Sequence, residues 1–400
     1  MPRVVVILPT RTYRASDFVS AAATSGIDLV VASEAQPPID MGDRYLRIDC
    51  GDPLAAAEEI AMLGDRIGID AVVAADDTGV VTAARANVLL GLSGNPPDAA
   101  EATRDKLTMR RRLASSEILQ PRFQAIDPET DPLDLVEQIG FPMVIKPRHR
   151  SASQGVIRVD RPEDLTETIE RVREIAGDDT TLIAEEYLHG SEVAVEGLVT
   201  NGELSVLAVF DKPDTSSGPY FPETIFVTPS RLEEADLAEV ERVAGAAVRG
   251  LGLARGPVHI EMRVDRGRAR LIEVAARSIG GLCSRSLNFG LMGTTLESLI
   301  LSNALGTGPR APARQPVATG VLMIPTPATG ILRNVAGEEE VRQIPGVTGV
   351  DLTMVPGDLV VAPPEGERYL GFVYARGELP DQVESALRKA MDVLEVQLEG

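Results

Sequence analysis

The sequence has no tryptophan, only two cysteines, and aromatic residues at 4%. Cys50 and Cys283 lie far apart and lack metal-ligand spacing, so no disulfide framework is implied and a reducing cytosol fits. Long apolar runs are missing too. The N-terminus offers only residues 4–8, too few for a signal peptide or a membrane span, and the expectation is a cytoplasmic protein with no membrane partner. Basic residues are outnumbered: 39 Lys and Arg against 60 Asp and Glu give a net charge of −21. Phosphate backbones need basic patches, so the charge argues against a nucleic-acid surface. An acidic protein can still hold a nucleotide where local lysines, arginines and Mg²⁺ reverse the field. No Gly-x-Gly-x-x-Gly follows the first strand, so a dinucleotide site has no support. Internal repeats and low-complexity segments are absent.

What is present reads as a multidomain α/β protein. Four hundred residues, 44% of them hydrophobic, suggest two to four domains. Residues 3–8 form a buried parallel strand, 15–25 a helix, 28–32 a second strand and 71–75 another, ending in Asp76-Asp77. Strand and helix alternate to about residue 95, as in an open α/β sheet. Asp76 and Asp77 sit at a strand's C-terminal end, where open sheets place ligands, although helix capping explains them equally well. After Asn95-Pro96-Pro97 a helix is expected over 99–116, carrying Arg104, Lys106, Arg110, Arg111 and Arg112. Residues 121–187 hold short strands and a helix near 162–176. Residues 191–210 form a hairpin turning at Asn201-Gly202. Further helices are expected over 231–250, 294–305 and 381–397, with a Gly/Pro-rich linker at 306–316.

The most informative stretch is a second hairpin. His259 to Val264 and Ala269 to Arg277 alternate on either side of Asp265-Arg266-Gly267, a three-residue connection suited to a type I turn with a Gly bulge. That parity puts Ile260, Met262, Val264, Ile272 and Val274 on the core face, and His259, Glu261 and Glu273 on the other. Glu261 and Glu273 become diagonal neighbours, roughly 7–8 Å apart at Cα. Two carboxylates that close repel each other unless a cation lies between them, and hard oxygen ligands with phosphate partners suit Mg²⁺. A solvated strand face with two glutamates is the alternative.

Other motifs precede it. Phe141-Pro142-Met143-Val144-Ile145-Lys146-Pro147 is a strand delivering a lysine. Ser151-Ala152-Ser153-Gln154-Gly155-Val156 follows, with small residues whose N–H groups can close on phosphate oxygens. Then comes Ile183-Ala184-Glu185-Glu186-Tyr187-Leu188, whose strand edge can hydrogen-bond an adenine. In this order, and with Gly91-Leu92-Ser93-Gly94 and Arg104-Asp105-Lys106 upstream, these motifs resemble the ATP-grasp superfamily over residues 70–305. The resemblance implies an ATP-grasp fold with an N-terminal Rossmann-like pre-ATP-grasp domain (1–98). The ATP-grasp domain would span 99–308, with a lid at about 121–187, and a small C-terminal α+β domain 309–400. It further implies ATP phosphate contacts from Lys106 and Lys146, and a covering loop that includes Ser151, Ala152, Ser153, Gly155 and Val156. Adenine would lie at Glu185, Glu186 and Leu188, with backbone groups offered by Glu186 and Leu188, and ribose at Glu192. Metal ligation falls to Glu261 and Glu273, for Mg²⁺ or alternatively Mn²⁺. Lys212 matches, more loosely, a lysine that reaches the γ-phosphate.

One position departs from the common pattern: Ala275 stands where many ATP-grasp enzymes have an asparagine metal ligand. Glu273-Val274-Ala275-Ala276-Arg277-Ser278-Ile279-Gly280-Gly281 is similar to the bacterial L-amino acid ligase branch, where an Ala-x-Arg stretch replaces Asn-x-Arg. Residues 221–230 and 317–400 resemble the same branch, and there a glutamate at the position of Glu223 lies near the reaction centre. The resemblance implies an ATP-dependent carboxylate–amine ligase forming an amide through an acyl-phosphate. Arg277 would hold the acceptor carboxylate, since a guanidinium grips it in two-point contact. Glu223 would bind or deprotonate the amine, or complete the metal shell, and His259 would be a structural hydrogen-bond partner. The partners implied are a small carboxylate and an amine, amino acids foremost, and a homodimer is common among such ligases. The competing readings are a carboxylase using bicarbonate and a non-catalytic nucleotide-binding scaffold.

Overall fold

The computed structural model describes residues 1–37, 39–214, 218–308 and 313–399. The linker expected over 306–316 therefore lies partly outside the described residues.

The first unit comprises β1 (Arg3–Ile7), α1 (Ala15–Thr24), β2 (Asp28–Ser33), β3 (Tyr45–Arg47), α2 (Pro53–Ile67), β4 (Ala71–Ala74) and α3 (Val80–Leu89). Its sheet is parallel, in the order β3-β2-β1-β4. Helices cover both faces, which is why Val4, Val5, Val6 and Ile7 are all buried. Each such side chain contributes roughly 1.5–3 kcal/mol. Local chemistry sets the helix ends. Asp52 caps α2 by accepting the Ala55 N–H, Pro53 occupies its first turn, and Gly68 at φ 71° ends it. The crevice between β1 and β4, where the strand order reverses, opens toward the rest of the protein.

The helix expected over 99–116 is instead two: α4 (Pro97–Arg104) and α5 (Lys106–Leu113). Asp105 interrupts them with extended backbone, φ −123° and ψ 104°, and its carboxylate caps α5 by accepting the Leu107 N–H. The break places Lys106 on the first turn of a new helix.

Next come β5 (Phe123–Ile126), α6 (Pro132–Gln138), β6 (Met143–Pro147), β7 (Ile157–Val159), α7 (Leu165–Ala176) and β8 (Leu182–Glu186). The four strands form their own antiparallel sheet, order β5-β8-β6-β7. The chain then builds β9 (Ser191–Thr200), β10 (Glu203–Lys212), β11 (Ile225–Thr228), α8 (Glu234–Leu251), β12 (Arg255–Asp265), β13 (Arg268–Ala275) and α9 (Leu296–Ala304). Asn201 and Gly202 both take positive φ, 53° and 80°, so β9 and β10 are joined by the expected primed turn.

The last unit contributes β14 (Ala318–Met323), β15 (Gly330–Ala336), α10 (Glu338–Arg342), β16 (Val347–Leu352), β17 (Leu359–Val360), β18 (Gly371–Gly377), α11 (Pro380–Val393) and β19 (Glu395–Glu399). The helix expected over 381–397 stops at Val393, and the alternating Glu395–Glu399 pairs with β15 as a strand. The eight-stranded central sheet, order β13-β12-β9-β10-β11-β14-β18-β16, runs from the glutamate hairpin into this unit. α8 buries Val240, Val243, Ala247 and Leu251 against Val195, Ile260 and Met262 on one face. The polar residues on the other face are thereby free to line a site.

The glutamate hairpin exists, but its register differs from the expectation. Arg268 pairs with Asp265, so the loop is two residues, Arg266 and Gly267, both at positive φ (50° and 76°). A β-bulge follows: Met262 pairs with Leu271 and Glu261 with Glu273, leaving Ile272 as the extra residue. Leu271 is then the core residue, while Ile272 is only half-buried. Glu261 and Glu273 are direct cross-strand partners rather than diagonal ones.

Candidate active site

At one end, β6 delivers Lys146 into a buried ion cluster. Its Nζ lies 2.6 Å from Glu185 Oε2, and Arg110 Nε holds the other oxygen of Glu185 at 2.8 Å. Burial alone would raise the Glu185 pKa. The two cations outweigh it and hold the carboxyl down to about 2. Burial pushes Lys146 below the usual lysine range. Lys106 Nζ donates to the Arg150 carbonyl at 2.6 Å and lies 3.3 Å from Glu273 Oε1. Beside them, Ala152 and Ser153 take left-handed backbone, φ 52° and 56°, and Gly155 follows at 70°. Non-glycine residues in this region cost roughly 1–2 kcal/mol each, and such strain gathers at functional segments. Successive N–H groups in such turns form a concavity suited to anions. His149 Nδ1 is 2.7 Å from Asp179 Oδ2, at the base of this loop.

In the middle, Lys212 Nζ is encircled by carboxylates: Glu192 at 2.5 Å, Glu261 at 2.8 Å and Glu223 at 3.0 Å. Burial disfavours its charge, yet the three anions raise its pKa well above the ordinary value. Glu261 is held far below the usual carboxylate range; burial opposes this, but Lys212 and His259 prevail. Glu223 goes the other way, to about 7: burial dominates, with Lys212 opposing and Glu261 and Glu192 adding repulsion. Its second oxygen, Oε2, is buried and has no hydrogen-bond partner. Glu192 is fully engaged, since its other oxygen accepts from Arg263 Nη2 at 2.7 Å.

At the far end, Arg277 Nε donates to Asp77 Oδ2 at 3.0 Å and Nη1 to the Ser278 carbonyl at 3.0 Å. Asp77 also pairs with Arg104 at 3.2 Å. Burial would raise the Asp77 carboxyl, but Arg277 and Arg104 lower it to about 2. Asp76 caps the following turn by accepting the Thr78 N–H. The two aspartates thus divide the roles the sequence left open: one caps, the other pairs with arginines. His259 hydrogen-bonds Glu196 at 2.5 Å and lies 3.6 Å from Glu261. Burial would lower its pKa, and Glu196 lifts it to about 9, so it is a charged structural partner.

Every candidate residue read from the sequence except Gly155 lines one cavity of about 350 Å³. Lys106, Lys146, Ser151, Ala152, Ser153, Val156, Glu185, Glu186, Leu188, Glu192, Lys212, Glu223, Glu261, Glu273 and Arg277 come together there from the middle of the chain, and Tyr13 and Asp77 from the first unit and Glu367 and Tyr369 from the last join the lining. The Glu186 N–H is already donated to the Arg122 carbonyl at 2.9 Å, so that backbone donor is not free. Sequence reasoning missed Glu196, Arg110, Arg14 and Tyr369. Glu196 is fully buried opposite His259, and Arg110 is fully buried on α5. Arg14 reaches Glu297 at 2.5 Å through the wall of the cavity. Only an uninterrupted buried strand around Glu196 hinted at an internal charge.

The opposed carboxylates of Glu261 and Glu273 fit Mg²⁺, which binds one or two carboxylates together with phosphate oxygens and waters. The unpartnered Oε2 of Glu223 is a further hard oxygen in the same cavity. Among the described residues, no group of three or more His, Cys, Asp or Glu side chains is gathered to hold an ion unaided.

Residues 139–286 match the family of the ATP-grasp domain, and residues 322–399 match the L-amino acid ligase C-terminal domain 2. Residues 139–286 thus carry an ATP-grasp domain. Within the ATP-grasp superfamily, the resemblance is to the L-amino acid ligase branch. An L-amino acid ligase from Bacillus licheniformis superposes with a TM-score of 0.82 at 25% identity, covering 100% of this chain and 99% of that one. An alanine–anticapsin ligase of Bacillus subtilis strain 168 is 28% identical over 245 residues, 56% of this chain and 51% of the relative. The chain thus spans about half the length of the curated relatives it matches first. A carboxyaminoimidazole ribonucleotide synthase from Aspergillus clavatus, complexed with ATP, shares the fold at TM-score 0.76 and 18% identity, covering 98% of each chain. No helix among the described residues is long and apolar enough to cross a membrane.

Proposed function

We propose that the protein is an ATP-dependent ligase that joins a carboxylate to an amine, releasing ADP and phosphate. The observation that carries this reading is a cavity with cations and a strained small-residue loop at one end, Glu223 in the middle and Arg277 at the other end. Lys106, Lys146 and the loop 151–156 would hold the ATP phosphates, with adenine against Glu185, Glu186 and Leu188 and ribose near Glu192. Glu261 and Glu273 would hold Mg²⁺, or Mn²⁺, which supplies positive charge for the phosphate oxygens when bound.

The chemistry follows from charge. A substrate carboxylate oxygen attacks the γ-phosphorus, and the bond to ADP breaks, giving an acyl-phosphate. Two anions must approach, so Arg277 grips the carboxylate and Lys212 offsets the transferring charge. A neutral amine then attacks the acyl carbon, phosphate leaves, and the proton on nitrogen is lost. Glu223 carries an unpartnered oxygen and a pKa near neutrality, so it can hold the ammonium form and take that proton. The four-stranded lid excludes water that would hydrolyse the acyl-phosphate. The likeness to an L-amino acid ligase and to an alanine–anticapsin ligase supports amino acids as the substrates.

The test is ADP release over a matrix of amino acids and simple carboxylates, with products identified by mass. Amide products from amino-acid pairs support the reading. ADP release with bicarbonate alone moves the carboxylase reading ahead of it, and no release with any pair leaves a nucleotide-binding scaffold.

A further inference from the structure

Residues 361–369 of the C-terminal unit, between β17 and β18, touch three parts of the molecule at once. On one side, the Gly155 N–H donates to the Pro364 carbonyl at 2.8 Å, and Gln154 Nε2 donates to the Glu365 carbonyl at 2.8 Å. The Glu365 carboxylate also accepts from Arg171 on α7 at 2.8 Å. On the other side, Arg11, in the loop after β1, pairs with Glu367 at 2.7 Å, and the Tyr369 N–H donates to the Tyr13 hydroxyl at 3.1 Å. Between these anchors, Glu367 and Tyr369 line the cavity. A tight bend makes this possible. The Gly366 N–H donates to the Ala362 carbonyl at 3.0 Å, and a Cβ on Gly366 would fall 2.0 Å from the Val361 carbonyl oxygen, so only glycine fits.

We propose that residues 361–369 are a positioning strap that fixes the loop 151–156 relative to the substrate end of the cavity, coupling nucleotide capture to substrate enclosure. The proposal rests on the reading of 151–156 as the phosphate-covering loop. That loop holds two left-handed non-glycine residues, Ala152 and Ser153, and its neighbours in the lid share no sheet with the C-terminal unit. Its links to that unit include the two hydrogen bonds to the strap and, through α7, the Glu365–Arg171 pair. A loop that closes on phosphates must carry the strap with it, and the strap carries Glu367 and Tyr369. Such coupling is reciprocal: whatever orders one end favours order at the other.

The experiment is hydrogen exchange on the full-length protein with and without the magnesium complex of AMP-PNP, a non-hydrolysable ATP analogue. In the parent, nucleotide should slow exchange in 151–156 and in 361–369 together. Glu365→Arg and Arg171→Glu should each weaken AMP-PNP binding about threefold, the weight of a partly exposed ion pair. In both, the response of residues 361–369 should weaken, because the two hydrogen bonds to backbone carbonyls remain. The double exchange, Glu365→Arg with Arg171→Glu, should restore the joint response, which a general loss of stability would not do. Because Arg171 also donates to the Tyr220 hydroxyl at 2.7 Å, Glu365→Arg is the cleaner single change. Protection of 151–156 without any change in 361–369 overturns the strap while leaving the nucleotide site intact. Protection of neither segment overturns the nucleotide reading and the strap with it.

Discussion

Glu261 and Glu273 face each other directly across neighbouring antiparallel strands, and each carboxylate already has a lysine beside it. Lys212 lies 2.8 Å from the first and Lys106 3.3 Å from the second. Directly opposed residues in a sheet have Cβ atoms roughly 4.5–5.5 Å apart, so this is the most concentrated pair of negative charges on the hairpin. The lysines come from β10 and α5, so the charge balance of the site is assembled by the fold and not by the hairpin alone.

Glu273→Gln should therefore abolish nearly all ADP release, by about 100-fold or more, while the protein stays folded. On the proposed function, removing one carboxylate would take a full charge from the cation site where phosphoryl charge would develop. Turnover is measured at rising Mg²⁺, with circular dichroism as the folding control. Parental turnover at saturating Mg²⁺ would show that the hairpin is not the metal site.

Arg277→Lys should retain AMP-PNP binding within about threefold and lose most amide formation, because lysine keeps the charge but not the two-point grip. Asp77→Asn should cause a smaller loss, since the guanidinium remains but its Nε partner is weakened. Equal activity of Arg277→Lys and the parent would place the carboxylate elsewhere.

Glu185 links acid to stability. Its folded pKa, about 2, lies below the unfolded carboxyl value of roughly 4.3, so the stabilisation is fully present above that value and is lost as pH falls toward 2. Urea midpoints should decline from pH 5 to pH 2 in the parent. Glu185→Gln leaves Arg110 and Lys146 buried without their anion and should cost about 3 kcal/mol at pH 7, with a flatter acid limb. An unchanged acid limb in the variant would assign the acid sensitivity to other carboxylates.

Much of this was legible before the structure, and the parts that were not share a cause. The order of the lysine strand, small-residue loop, Glu-Glu-Tyr-Leu segment and glutamate hairpin pointed to the cavity's lining. Register was not legible: Leu271 and Ile272 are both apolar, so alternation permits either parity, and only the bulge decides which one enters the core. The break at Asp105 was hidden because helix-forming residues lie on both sides of it. Glu395–Glu399 alternates, but no Gly or Pro separates it from the helical pattern before it, and only its pairing with β15 marks it as a strand. Asp77, Glu196 and Arg14 act across 200, 63 and 283 positions of chain respectively, and no local pattern carries a contact of that range.

The most direct test follows oxygen. The acyl donor that supports ADP release is prepared with ¹⁸O in its carboxylate, and the released phosphate is examined by mass. Phosphoryl transfer to the carboxylate followed by amine attack predicts one ¹⁸O in the phosphate for each amide formed. Amide formation with unlabelled phosphate would contradict the acyl-phosphate route and the placement of Arg277 and the paired glutamates around it.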